Sequence, residues 1–319
     1  MSGACSSTAA FKITSRFIRF LPHSFLYYTA SCARKEAAIV NRVEKNSRIA
    51  YTNQEIRRDL LMFSIETSWL DVQAYFKTND SVMIITGSLE CHGVHNPLGA
   101  DTFVPEALAQ RIEKQTEILV LPALPYGSCD YLRGFPGTVS LSTETLRRVL
   151  QEIVDSMRAH GARRFLFLNG HGGNLPALEQ VALKLNSQGD LGIIANWWQM
   201  AKEIDPAWGG GHGGGEETAA MLAICPQAVH FERCRESTLK PLSENITTTG
   251  FKTVQFKGVT LTMPQPIAAI CDNGWTGPDH PATASASWGE AMLEAISQLL
   301  IQLIDELKHI PLGEAHEVR

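Results

Sequence analysis

The chain has 319 residues, 44% of them hydrophobic and 19% charged, with a formal net charge of −5. This ordinary globular balance excludes collagen-like, coiled-coil and wholly disordered classes, and the length allows one large domain or two small ones. Charge is unevenly spread: residues 1–61 carry ten basic side chains against four acids (+6), residues 62–319 carry 18 against 29 (−11). A negative body argues against nucleic acid as a partner, because phosphate binding needs a basic face.

Residues 1–35 hold five basic residues and no acid among many Ser and Ala, a composition like that of an organellar transit peptide. Residues 20–33 also read as a poor signal-peptide core, broken by Pro22, His23 and Ser24. The plain alternatives are a basic, disordered extension over residues 1–61, or an upstream start with Met62 as the natural initiator. Seven widely spaced cysteines with no Cys-x-x-Cys pair form neither a zinc ribbon nor a disulfide framework. A reducing cytoplasm is therefore expected, or an organelle if residues 1–35 are a transit peptide. No run approaches the roughly 20 apolar residues of a membrane span, so no membrane partner is expected.

From Ser81 the body alternates short apolar runs with amphipathic segments. Val82–Thr86 reads as a buried strand, Pro105–Lys114 as a helix and Ile118–Leu121 as a strand. Thr143–His160 is the clearest helix, with Leu146, Val149, Leu150, Ile153 and Met157 on one face, Ser142 as its cap and Gly161 as its stop. Phe165–Leu168 follows as a strand, then a helix from Pro176 to about Asn186, a strand Ile193–Trp197, a helix Glu217–Ile224 and a long final helix Ala284–Ile310. Residues 238–266, rich in Thr and Lys, read as an antiparallel excursion. Alternating strands and helices imply a mostly parallel sheet covered on both faces, with function in loops beyond the carboxyl ends of its strands.

Three polar clusters fall on such loops. Gly87–Asp101 offers Glu90, His92, His95 and Asp101; Asn169–Asn174 offers His171 among glycines; Trp208–Thr218 sets His212 in a glycine tract before Glu216 and Glu217. Each alone reads equally as a polar turn or linker. Glu, His and Asp together are a ligand set for zinc, manganese or iron, and an Asp can bridge two ions. His212 beside two acids reads as a proton carrier with a raised pKa. Walker A and Gly-x-Ser-x-Gly motifs are missing and no Gly-x-Gly-x-x-Gly follows a strand, against nucleotide binding and a serine hydrolase.

The order Gly-Ser-x-Glu-x-His-Gly-x-His-x-Pro-Leu-Gly-x-Asp, Phe-Pro-Gly-Thr (Phe135–Thr138), Asn-Gly-His-Gly-Gly-Asn and His-x4-Glu-Thr resembles the creatininase (creatinine amidohydrolase) family, in its Asn-Gly-His-Gly-Gly-Asn subtype. The resemblance implies an α/β fold, a three-layer α/β/α sandwich, over residues 62–319. It also implies a dinuclear metal centre, hydrolysis of a non-peptide or cyclic amide C–N bond, and commonly a homohexamer. By the same resemblance Glu90, Asp101 and His171 hold one divalent ion, and His92 with the bridging Asp101 the other. The pair is expected to be Zn2+ with Zn2+, Mn2+ or Fe2+, the second site being weaker. His212 is the proton-transfer residue, with Glu217 as its acid partner. Creatininase proper carries a Glu ligand where this chain has Gly173, so that Glu217 or water would fill the gap, and many relatives have a His at the position of Leu132. Relatives with the Gly-Gly form include deformylases of flavin and deazaflavin intermediates and the peptidase of mycofactocin maturation.

The expected chemistry is attack by metal-activated water on a small amide, with loop amides at 170–173 and 209–215 as oxyanion donors. Trp197, Trp198, Trp208 and Asn174 would contact the substrate; core packing is the other reading of the tryptophans. Two alternatives stand: a formamide deformylase or lactone/keto-sugar hydrolase on the same site, and a non-catalytic metal-binding or small-ligand-binding protein.

Overall fold

A computed structural model describes residues 63–113 and 115–313. The chain divides into Met1–Asp59 and Leu60–Arg319; the described residues all lie in the second unit, and the readings of residues 1–61 fall outside them. Four strands, β1 (Ser81–Thr86), β2 (Leu119–Val120), β3 (Arg164–Asn169) and β4 (Leu191–Asn196), form a parallel sheet in the order β2-β1-β3-β4. Alternate side chains leave each strand on opposite faces. Val82, Ile84, Phe165 and Phe167 join one buried cluster, Met83, Ile85, Leu166 and Leu168 another.

Helices α3 (Thr143–Ala159) and α4 (Leu175–Ser187) cover the first face. Helices α2 (Ala100–Ile112), α5 (Trp197–Ile204), α6 (Gly215–Ile224) and α8 (Ala286–Leu307) cover the second. This is the three-layer α/β/α sandwich. A short α1 (Trp69–Tyr75) precedes the sheet. Residues 238–266 form the expected antiparallel excursion, β5 (Ile246–Thr248), β6 (Thr253–Phe256) and β7 (Val259–Thr262), followed by a turn of helix, α7 (Ile267–Ile270). Among the described residues no helix is long and apolar enough to cross a membrane.

Two elements differ from the expectation. Helix α2 begins at Ala100, five residues before Pro105, so the proline lies inside it; the Pro97–Gly99 turn starts the helix, and the ring forfeits only a bond to Asp101's carbonyl. The apolar run at Ile193–Trp197 breaks at Asn196, and Trp197 opens α5 instead of ending β4. The Ser142 cap forms, its side chain accepting from Thr145 N, and Gly161 takes φ +114.

Strand register positions the site. Thr86 pairs with Asn169, and Asn169 with Asn196, so β1, β3 and β4 end flush. Core packing supports that edge: Leu150 is fully buried between α3 and the sheet. Leu150→Ala is expected to lower the unfolding free energy by about 3 kcal/mol, through lost transfer energy and a residual cavity, as read from urea denaturation.

Candidate metal centre

Beyond this flush edge the chain turns back twice. After β1, Ser88 donates to Glu90 Oε2 at 2.8 Å, fixing that carboxylate, and Asp101 arrives on the first turn of α2, 3% exposed. After β3, His171 follows Asn169, whose Oδ1 accepts from Thr86 Oγ1 (3.0 Å) and from His171 N (3.1 Å). The glycine tract before α6 brings His212, and the helix itself brings Glu217. With His92 from the loop after β1, six residues spread over 128 positions thus meet in one buried place.

Donor atoms group into three sets, each within 4.8 Å: Glu90, Asp101 and His171; His92, Asp101 and Glu217; Glu90, His92 and His212. Hydrogen bonds fix which imidazole nitrogens face the centre. His92 Nδ1 meets the Glu90 carbonyl at 3.0 Å, His171 Nε2 the Ser128 carbonyl at 3.0 Å, and His212 Nε2 the Cys91 carbonyl at 2.7 Å. A carbonyl only accepts, so these nitrogens carry the hydrogen and donate, and each ring turns its other nitrogen inward. His92 Nε2 then lies 2.9 Å from Asp101 Oδ1 and 3.6 Å from Glu217 Oε2. His171 Nδ1 lies 3.1 Å from both Glu90 Oε1 and Asp101 Oδ2, and His212 Nδ1 3.8 Å from Glu90 Oε1.

Lone pairs facing lone pairs at 3 Å repel unless a cation, a proton or a metal ion, lies between them. Glu90 Oε1 and Asp101 Oδ2 are buried without a hydrogen-bond partner among the described residues. Protonation shifts report the same frustration. Burial alone would depress His92, but Asp101 and Glu217 outweigh it and lift it to about 10; Glu90 and Asp101 likewise hold His171 well above its usual value. Asp101 is itself driven far below the carboxylate range: its burial acts upward and is overcome by His92 and His171. Three carboxylates and three imidazoles so arranged fit divalent ions.

His212 corrects the expectation of a raised pKa. Burial and the neighbouring His92, whose ring centroid is 4.7 Å away, push it down to about 3. Its imidazole is neutral and presents an acceptor. Glu217 is moved up to about 7, by burial first and then by Asp101. Its Oε2 accepts from Gly213 N at 2.7 Å.

The remaining expected contacts fall elsewhere. Trp197 is 1% exposed in the core, while the neighbouring Trp198 is the ring beside Gly172, and Trp208 packs half-buried on the core before the glycine tract. Asn174 is buried with its amide already used: Nδ2 donates to Gly87 O and Asn169 Oδ1, and Oδ1 accepts from Ser128 N. It ties the loops together. Amides of Gly170, Gly209, Gly213, Gly214 and Gly215 are also bonded within the fold, which removes them as oxyanion donors. Leu132 packs in an apolar cluster with Cys91 and Ile267.

Several residues escaped sequence reasoning: Ser88, the carbonyls of Cys91 and Ser128, and Phe251, whose ring meets His212 edge-on at 5.1 Å. Only Ser88 had a signal, standing two residues before Glu90.

The family model described as Creatinine amidohydrolase matches residues 65–304. The chain belongs to the creatininase family. Among its creatininase-family relatives, the creatinine amidohydrolase of Pseudomonas putida is 32% identical over 197 residues, 54% of this chain and 75% of that protein. The mycofactocin precursor peptide peptidase of Mycobacterium tuberculosis is 33% identical over 230 residues, 69% and 82% of the two chains. A solved mutant creatininase of Zn-Zn type superposes with a TM-score of 0.61 at 26% identity, over 78% of this chain and 98% of that one. The fold and the hydrolase class are therefore those of creatininases.

Proposed function

We propose that this creatininase-family hydrolase is metal-dependent and cleaves the C–N bond of a small non-peptide or cyclic amide with water. The observation that carries the reading is the pair of donor triads sharing Asp101, with imidazole nitrogens turned toward buried carboxylates of which Glu90 Oε1 and Asp101 Oδ2 lack a hydrogen-bond partner. Glu90, Asp101 and His171 would hold one divalent ion; His92, Asp101 and Glu217 the other, with Glu217 standing in for the ligand lost at Gly173. The metals named for related structures are zinc and manganese. Such ions acidify water towards neutral pH and polarise a carbonyl.

The chain's own groups do the rest. His212, neutral and anchored through Nε2, takes a proton from water at Nδ1 and hands it to the leaving nitrogen. That sequence of base then acid keeps the proton-carrying role expected of His212 but starts it from the neutral imidazole. Phe251 keeps bulk water off the His212 ring, and Ser88 holds Glu90 in place. We place the protein in the cytoplasm, from its widely spaced cysteines without a Cys-x-x-Cys pair, and expect a homohexamer acting on a small molecule, by resemblance to its family.

Elemental analysis and an activity panel test this reading. Purified protein should carry about two divalent ions per chain, and a chelator should abolish turnover of at least one member of a creatinine, lactam, formamide and short-peptide panel. Metal-free protein whose stability is unchanged by Glu90→Ala or His171→Ala would refute it. The peptidase relative is the reason peptides belong in the panel.

A pH dependence follows for metal-free protein. His92 rises from 6.5 to about 10, Glu217 from 4.5 to about 7, and Glu216 from 4.5 to about 9 through burial and the charges of Glu217 and Asp279. All three are raised above their unfolded values, so their contribution is complete below those values and is lost as pH climbs through 7, 9 and 10. Tm of chelated protein should fall between pH 6.5 and 10. Loaded protein should fall less, since an ion then occupies the proton's place on His92. Equal slopes in differential scanning fluorimetry would contradict this.

A further inference from the structure

We propose that Asp279 is the positioning residue of this centre: seated inside the glycine tract, its carboxylate holds His212 and Glu217 in register with the other donors. The inference rests on the metal-site reading above. It starts from an oddity of the sequence, six glycines in the seven residues 209–215, a composition that by itself reads as a flexible linker.

The tract is clamped. Helix α6 starts after Gly214, which has no side chain to satisfy the first amides of the helix. Asp279 does this from outside: its Oδ2 accepts from Glu216 N at 2.7 Å, and its backbone carbonyl from Gly215 N at 3.3 Å. A carboxylate on the first turn of a ten-residue helix both caps it and answers its dipole. Cβ atoms built at Gly210, Gly214, Gly215 or Gly277 would come to 3.0 Å or less from the Asp279 carboxylate oxygens. The glycines are there because the carboxylate occupies the space that side chains would need.

The strap that carries Asp279 also grips the histidine. The His212 carbonyl accepts from Thr276 N at 2.9 Å and Gly277 N at 3.2 Å. Between the two grips the chain turns at Gly213, φ +66, against Trp275 and the His92 backbone, and Gly213 N donates to Glu217 Oε2. Glu217 is the third residue of the helix so capped, and the cap therefore sets where its carboxylate points. Asp279 is in none of the donor triads and acts through His212 and Glu217.

The test uses the full chain with Asp279→Ala, Asp279→Asn and Asp279→Glu. Two readouts are needed: amide hydrogen exchange resolved by segment, and Co2+ titration followed by visible absorption. In Asp279→Ala, exchange over residues 210–218 should accelerate at least tenfold with the sheet unchanged, and the second Co2+ equivalent should be lost while the first remains. Asp279→Asn keeps an acceptor for Glu216 N–H and should recover most of both; Asp279→Glu, too long for the cradle, should not. Wild-type behaviour in Asp279→Ala would overturn the proposal. So would faster exchange spread evenly over the chain with no rescue by Asn. If wild-type protein takes up no Co2+, the metal reading fails, while the exchange pattern still decides the role of Asp279.

Discussion

Asp101→Asn should cost both of the proposed ions at once. Asp101 belongs to two of the donor triads, its Oδ1 at 2.9 Å from His92 and its Oδ2 at 3.1 Å from His171. Asn keeps the shape and one oxygen but removes the charge nearest His92 and one of the two charges beside His171. Without it the two triads lose their common oxygen pair. Bound divalent ions contribute several kcal/mol to transition-state stabilisation, so kcat/KM should drop by about 10³-fold or more at 1.36 kcal/mol per decade. Elemental analysis should show well under one ion per chain, with the circular dichroism spectrum retained. Full metal content with full activity would remove Asp101 from the centre.

Gly173→Glu should destroy the site although it restores the residue found in creatininase proper. A Cβ at 173 would fall under 3.0 Å from both the Ser128 carbonyl and His171 Nε2. That is the hydrogen bond which turns His171 Nδ1 toward Glu90 and Asp101. Accommodating the side chain means parting those two groups, at an overpacking cost of about 1–3 kcal/mol, and freeing the imidazole to rotate. The expected result is a lower Tm and loss of the ion proposed for Glu90, Asp101 and His171. Tighter metal binding with an unchanged Tm would show that the loop adapts, and that Glu217 does not replace the missing ligand.

Much of this molecule is legible in its amino-acid sequence. A parallel sheet buried on both faces makes its strands short apolar runs between turn residues, so Val82–Thr86 and Phe165–Leu168 stand out, and the one-sided apolar pattern of Thr143–His160 marks its helix. Errors fall where local rules compete. Pro105 reads as a helix start, yet the turn at Pro97–Gly99 begins α2 earlier. Trp197 continues an apolar run and yet opens a helix.

The donor set is legible for a related reason. Glu90, His92, His171 and His212 sit on loops at one sheet edge, and Asp101 and Glu217 on the first turns of α2 and α6; polar clustering singles out these segments, and the family resemblance names the set. Their protonation is not legible. Whether an imidazole donates or accepts depends on the carbonyl behind it, and those carbonyls come from Ser128, 43 positions from His171, and Cys91, 121 positions from His212. His212 next to two acids reads as charged; burial beside His92 makes it neutral. Asn174 and Trp197 read as substrate contacts until packing commits one to backbone groups and the other to the core.

By itself, then, the sequence determined the covered parallel sheet, the edge that carries the polar clusters and the set of candidate donor residues, because these follow from apolar periodicity, side-chain chemistry and family motifs. Only the tertiary structure decided which nitrogen of each histidine faces the centre, which way the pKa of His212 moves and what holds the glycine tract still. Those properties depend on burial and on partners brought together from distant parts of the chain, which spacing does not encode.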